Sequence, residues 1–166
     1  MPKDKLQDEF MELLNQCQDT IIKLCLLHTD RQPDSVNDLY QEIVCNLWES
    51  FPRFRHQSKP NTWVYRIALN TAYMQHRSRK HIPKFISLND YMCENIANPE
   101  ENNMINRLYQ LIDLLDEYEK TIIFLYIDKV PLREIAETLG TTEDAIKHKI
   151  SRLKLKMIKM NENEPQ

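Results

Sequence analysis

Glycine is almost absent: Gly140 is the only one in 166 residues, against eight prolines. Such scarcity favours helices joined by short, proline-punctuated links. No strand-type alternation of useful length, internal repeat or low-complexity tract appears before the polar tail "NENEPQ". Long hydrophobic runs are also missing. The longest, such as Ile122 to Ile127, fall far short of the ~18 residues a membrane span needs. The start, "MPKDKLQDEFMELL", is charged and amphipathic and lacks a secretory core. The expectation is a cytoplasmic chain with no membrane insertion. The four cysteines (Cys17, Cys25, Cys45, Cys93) form no CxxC pair. They read as small core residues of a reducing compartment. Cys25 and His28 share a helix face, but no second pair is spaced to complete a tetrahedral metal site. Neither a metal nor a cofactor is expected.

Carboxylates are missing from one long stretch. The net charge of -3 hides strong blocks: -6 over residues 1–51, +8 over 52–84, -7 over 85–142 and +4 over 143–160. Residues 52–84 carry eight Lys and Arg and no Asp or Glu. A solvated face mixes signs, so two basic islands in an acidic chain point to a polyanionic partner.

What is present is helical periodicity. Leu6, Phe10, Leu13, Leu14, Cys17, Ile21, Leu24 and Cys25 mark the buried face of a helix over 5–28. After "TDRQPD", Ser35 is placed to cap a second helix, with Asp38 in the capping-box position. That helix reaches about Ser50, with Leu39, Ile43, Leu47 and Val44 inward. Its other face offers Asp38, Gln41, Glu42, Asn46 and Glu49. "FPRFRHQSKPN" reads as a loop, and Thr62 as the cap of a helix from Trp63 to about Lys80. Trp63, Val64, Ile67, Ala68 and Thr71 mark its buried side. From His81 to Asn103 the period fails, which predicts a flexible linker with a short turn at Leu88 to Glu94. Four helices follow. Leu108, Leu111, Ile112 and Leu115 mark the first, and Ile122, Ile123, Tyr126 and Ile127 the second. The third opens at Pro131 and closes at Gly140. The fourth, capped by Thr141 or Thr142, runs to about Met160. The fold class is all-α: two small helical domains, 1–80 and 104–160, joined by linker 81–103.

Gly140 lies between a short acidic helix and a long basic one. It is either a plain C-cap or the turn of a helix-turn-helix. On the last helix Ile146, Ile150, Leu153 and Met157 form an inward stripe. At roughly 100° per residue, His148, Ser151, Arg152 and Leu155 fall opposite, flanked by Lys147, Lys149, Lys154 and Lys156. Long basic arms suit phosphates, and His148, Ser151 or residues 142–144 can reach base edges. In the first domain, aromatics alternate with cations through "FPRFRHQSKPNTWVYRIALNTAY". That mixture suits unstacked bases. Trp63 reads as core, and Phe54, Arg55, His56 and Gln57 as the contact residues.

Three segments in series, "DLYQEIVCNLWESFPRF", "TWVYRIALNTAYMQHRSRK" and "LREIAETLGTTEDAIKHKISRLK", resemble the extracytoplasmic-function (ECF, group IV) branch of the sigma-70 family of bacterial transcription initiation factors. The resemblance implies a sigma factor that binds core RNA polymerase, recognises -10 and -35 promoter elements and promotes opening, with no catalytic residues and no enzyme activity of its own. Residues 1–80 correspond to region 2 and 104–160 to region 4. Asp38, Gln41, Glu42, Asn46, Leu47 and Trp48 would dock on the β′ clamp helices. The loop with Phe54, Arg55, His56 and Gln57 would capture a base flipped from the -10 element. Arg66, Asn70, Arg77 and Arg79 would hold the same DNA. Thr142, Lys147, His148, Lys149, Ser151, Arg152 and Lys154 would meet the -35 element. Region 4 would also touch the β flap, the linker would thread toward the RNA exit path, and an anti-sigma factor would cover the docking surfaces.

Two departures are visible. The family often has a glycine in the loop before "EIA", which here reads "DKVPLREIA". Its last helix usually carries more arginine, where this chain has Lys147, Lys149 and Lys154. Lysine lacks the bidentate fork that reads guanine. Two other readings remain at this point. A stand-alone helix-turn-helix regulator explains 131–158 but gives the basic island 52–84 no task. An enzyme or metal sensor needs Cys17, Cys25, His28 and Cys45 to converge.

Overall fold

The computed structural model describes residues 3–78 and 99–163. Among them every regular element is helical. The chain divides into two compact units, Met1–Ser87 and Leu88–Gln166.

The first unit is built on α1 (Lys3–His28), α2 (Pro33–Ser50) and α3 (Pro60–Ser78), with a single 3-10 turn, Phe51–Arg53, after α2. Each long helix packs on the other two. The core draws Phe10, Leu13, Cys17, Ile21, Leu24, Cys25 and Leu27 from α1. Val36, Leu39, Ile43 and Leu47 come from α2, and Val64, Tyr65, Ala68, Leu69 and Ala72 from α3. Burying each large aliphatic chain contributes about 1.5–3 kcal/mol. Three small polar links tie the layers. Asn46 Nδ2 donates to Thr71 Oγ1 at 2.9 Å, Gln75 Nε2 to Glu42 Oε2 at 3.0 Å, and Cys17 Sγ to Asn61 Oδ1 at 3.2 Å.

Both expected N-caps of this unit are corrected. α2 begins with Gln32 as an extended N-cap and Pro33 in the first turn, and no side chain caps it. Ser35 and Asp38 are therefore interior positions. α3 begins at Pro60, so Thr62 lies inside its first turn and is buried. Proline brings its φ already set for a helix and lacks an N–H that would go unsatisfied there. The cap residue then becomes dispensable.

The second unit comprises α4 (Pro99–Asp113), α5 (Glu117–Ile127), α6 (Leu132–Leu139) and α7 (Glu143–Glu162). Helix α4 starts earlier than the periodicity implies, so residues 99–103 belong to it and not to a linker. The expected linker residues 81–98, with the turn at Leu88 to Glu94, lie outside the described residues. The core joins Leu111, Ile112 and Leu115 to Ile122, Ile123 and Leu125, then Ile135, Ala136, Ile146, Ile150 and Leu153. Tyr126 and Ile127, expected inward, are exposed, and Thr121 and Leu125 take their place. Helix α5 is covered on several sides, so no single stripe defines its interior.

Backbone geometry fixes both ends of α6. Gly140 is left-handed, with φ 67 and ψ 37, and its N–H bonds Ala136 O. Thr141 N–H returns to the same carbonyl at 2.9 Å. Before α6, Lys129 takes φ 59, and its N–H reaches Tyr126 O at 3.1 Å. This is the loop where the resemblance leads one to expect a glycine.

Candidate nucleic-acid interface

On α2, Asp38, Gln41, Glu42 and Glu49 are exposed and Asn46 is half-buried. With Asp38 at zero, rotation puts Glu42 and Glu49 within roughly 40° of it. This is an acidic stripe facing solvent. Trp48 sits beside it, 41% exposed, with its ring 5.0 Å from Phe10 in an edge-on contact. Leu47 is a correction: it is only 1% exposed and faces the opposite way, into the three-helix core. It supports that surface from beneath.

An aromatic cluster follows. Phe51 is buried and anchors it. The Phe54 ring lies 4.7 Å from Trp63 and 4.4 Å from His56. Phe54 and Trp63 are half-buried, while Arg55, His56 and Gln57 are exposed. His56 has φ 53, a left-handed backbone that turns the loop back on the rings. Trp63, expected in the core, is instead the partly open floor under Phe54. The cluster therefore offers π-faces next to a cation and two polar side chains, which is what an unstacked base needs. Along α3, Arg66, Asn70 and Arg77 are exposed. They fall within roughly 40° of one another about the helix axis. Arg79 lies outside the described residues.

In the second unit Thr142 caps α7: its Oγ1 accepts from Ala145 N–H at 3.2 Å. Lys147, His148, Ser151 and Arg152 are exposed. Ser151 Oγ donates to Lys147 O at 3.1 Å. Three further cations of α7 point elsewhere. Lys149 Nζ lies 3.3 Å from Glu119 Oε1, and Lys156 Nζ lies 2.7 Å from Glu119 Oε2. Lys154 Nζ donates to Tyr126 Oη at 2.7 Å and sits 4.4 Å from that ring's centre. Lys149 and Lys154, expected on DNA, are thus held on α5. The reason is tertiary: α5 packs on α7 and supplies the acceptors.

Glu119 is the residue that periodicity did not single out. It closes a capping box with Asp116, whose side chain accepts from Glu119 N–H at 2.8 Å. Asp116 N–H returns a bond to Glu119 Oε2 at 3.3 Å. The signal was legible, because "DEYE" over 116–119 has the box spacing. Burial pushes the Glu119 carboxyl up, but hydrogen bonds from Lys156, the Asp116 amide and Lys149 outweigh it. The group is held below the ordinary carboxylate range.

Among the described residues the cysteines form no metal-binding group. Burial pushes the Cys25 thiol up to about 12 and raises Cys17 as well, so both stay protonated. Cys45 is exposed, and Cys93 lies outside the described residues. Among the described residues no three His, Cys, Asp or Glu side chains gather as a metal site. No described helix is long and apolar enough to cross a membrane.

Comparison with known proteins matches residues 13–82 to sigma-70 region 2 and residues 105–157 to sigma-70 region 4. The chain is similar to the ECF RNA polymerase sigma factor SigW of Bacillus subtilis, 25% identical over 167 residues. That alignment covers 88% of this chain and 85% of the relative. It is also similar to the RNA polymerase sigma factor SigV of the same organism, 27% identical over 145 residues, covering 86% and 85%. Among solved structures, the fold matches CnrH in complex with the cytosolic domain of CnrY. The TM-score is 0.71 at 17% identity, over 96% of this chain and 91% of the other. It also matches the sigma factor RpoE in complex with the anti-sigma factor NepR from Bartonella quintana. Here the TM-score is 0.73 at 15% identity, over 95% and 99%.

Proposed function

We propose, from the premise that this chain belongs to the extracytoplasmic-function branch of the sigma-70 family, a division of labour between its two units. The chain is a promoter-recognising sigma factor for transcription initiation. The observation that carries this is the presence of both regions, 2 then 4, in one chain. A stand-alone helix-turn-helix regulator would need only the second.

In this proposal residues 1–80 dock on core polymerase and handle the -10 element, and residues 104–160 read the -35 element. The acidic stripe with Asp38 and Glu42, with Gln41, Asn46 and Trp48 beside it, faces the β′ clamp helices. Flipping a base costs a few kcal/mol, and stacking in a snug pocket offsets that cost. The Phe54–Trp63–His56 cluster supplies the stacking surface, and Arg55 and Gln57 supply polar reach. Arg66, Asn70 and Arg77 hold adjacent phosphates, with Arg79 beyond them. At -35, α7 lies in the major groove and presents Lys147, His148, Ser151 and Arg152, with Thr142 at its N-terminus. Phosphodiester chemistry belongs to the polymerase, so the chain itself is no enzyme and takes no cofactor. An anti-sigma factor keeps it silent by covering the docking surfaces. Support for that partner is the likeness to sigma factors solved with such proteins.

The test is co-purification with bacterial core RNA polymerase, followed by transcription from a pool of promoter fragments. Stable association and new sequence-selective transcripts are expected. Duplex binding without any association with active core would instead favour the stand-alone regulator.

A further inference from the structure

Helix α7 carries six Lys and Arg between residues 143 and 160, yet two of them share one buried carboxylate on another helix. The Glu119 side chain is 8% exposed and bonds both Lys149 and Lys156, which are 36% and 46% exposed. On α7 these two lysines lie within roughly 20° of each other, so they define one flank. If either turned to a DNA phosphate, it would leave Glu119 buried with one cation fewer. The cost falls on the carboxylate, which is the buried partner and is left less compensated when either partly exposed lysine turns away. Phosphate on the outer surface is therefore a poor competitor for these two ammonium groups. Lys147 and Arg152 are exposed and have no such anchor among the described residues.

We propose that Glu119 is a specificity-setting positioning residue: it holds Lys149 and Lys156 off the DNA backbone, limits indiscriminate phosphate binding, and leaves selection to Lys147, His148, Ser151 and Arg152. This rests on the reading of α7 as the -35 helix. A recognition helix with every lysine free would hold any duplex through counterion release, which carries no sequence information. Glu119 withdraws part of that indiscriminate term.

The experiment uses holoenzyme formed from the full chain and bacterial core RNA polymerase. Binding is measured against salt on a promoter fragment selected from a random pool and on a mixed-sequence duplex. Glu119→Gln frees two lysines, so the slope of log affinity on log salt should steepen by about 1 to 2. The ratio of selected to mixed-sequence binding should fall about threefold or more. The triple variant E119Q/K149Q/K156Q should restore the wild-type slope, which a merely structural role would not do. An unchanged slope and ratio in folded E119Q overturns the proposal. If E119Q fails to fold, Lys156→Gln decides. An unchanged slope supports the proposal, and a slope shallower by about 1 places Lys156 on phosphate and overturns it. K147A/R152A separates the two failures. Loss of upstream selectivity there with no effect of E119Q sinks only the role of Glu119. No loss in K147A/R152A sinks the assignment of α7 itself.

Discussion

Gly140 and Lys129 bracket α6 in the same left-handed conformation, and only one of them is glycine. A Cβ built on Gly140 meets nothing within 4 Å. Alanine there should cost the backbone penalty of about 1–2 kcal/mol less about 0.5–1 kcal/mol of unfolded-state entropy, a net loss of up to about 1.5 kcal/mol. Gly140→Asn should cost less, because asparagine visits that region more readily. Thermal unfolding of the two variants checks this, and equal losses would refute the backbone account. At Lys129 the sign reverses. Glycine would relieve a strain of about 1–2 kcal/mol and add about 0.5–1 kcal/mol of unfolded-state entropy. Lys129→Gly should therefore stabilise slightly, by less than about 1.5 kcal/mol. Glu119 makes a prediction in pH. Its folded pKa is depressed, so the unfolded chain binds that proton more tightly. The stability it confers is complete above the ordinary carboxylate range and is lost as pH falls through the lowered value. Helix content of the wild type, followed into acid, should fall in that window. Glu119→Gln should be less stable at neutral pH and should flatten that limb.

At the scale of elements, what was legible and what was not divides along contact range. The inward stripe of α7, the acidic stripe of α2 and the Gly140 turn follow from local spacing, and each is present. Helix starts at Pro33 and Pro60 were misplaced because proline at the first turn removes the need for the side-chain cap being sought, and α4 begins at Pro99, ahead of the apolar period that marks it. The fate of Lys149, Lys154 and Lys156 was invisible, since their acceptors lie 28 to 37 residues away on α5. Leu47 was placed on the docking face by motif resemblance and in the core by periodicity, and periodicity prevailed. The two exposed faces should therefore separate by mutation. Asp38→Lys with Glu42→Lys reverses charge on α2 and should weaken core polymerase binding at least about tenfold, a difference of about 1.4 kcal/mol. Upstream duplex contacts should be spared. Lys147→Ala with Arg152→Ala should leave core binding unchanged, reduce promoter affinity and lower the salt slope by up to about 2. Loss of core binding in the second variant would contradict the division of labour.

At the scale of the molecule, each unit has its own buried core, and units this small are marginal alone. Both tryptophans, Trp48 and Trp63, lie in the first unit. Indole fluorescence therefore reports that unit, whereas helical ellipticity reports both. Leu125 is fully buried at the centre of the second unit. Leu125→Ala should remove about 2–5 kcal/mol, enough to unfold a marginal domain near ambient temperature. If the units are independent in stability, the variant loses part of its ellipticity at low temperature while the tryptophan transition stays where it was. Such a chain should still co-purify with core polymerase through the α2 face. It should fail at promoters that depend on the upstream element. A tryptophan transition that moved with the lost ellipticity would show that the first unit draws stability from the second, and docking on polymerase would then have to be re-examined as a property of the whole chain.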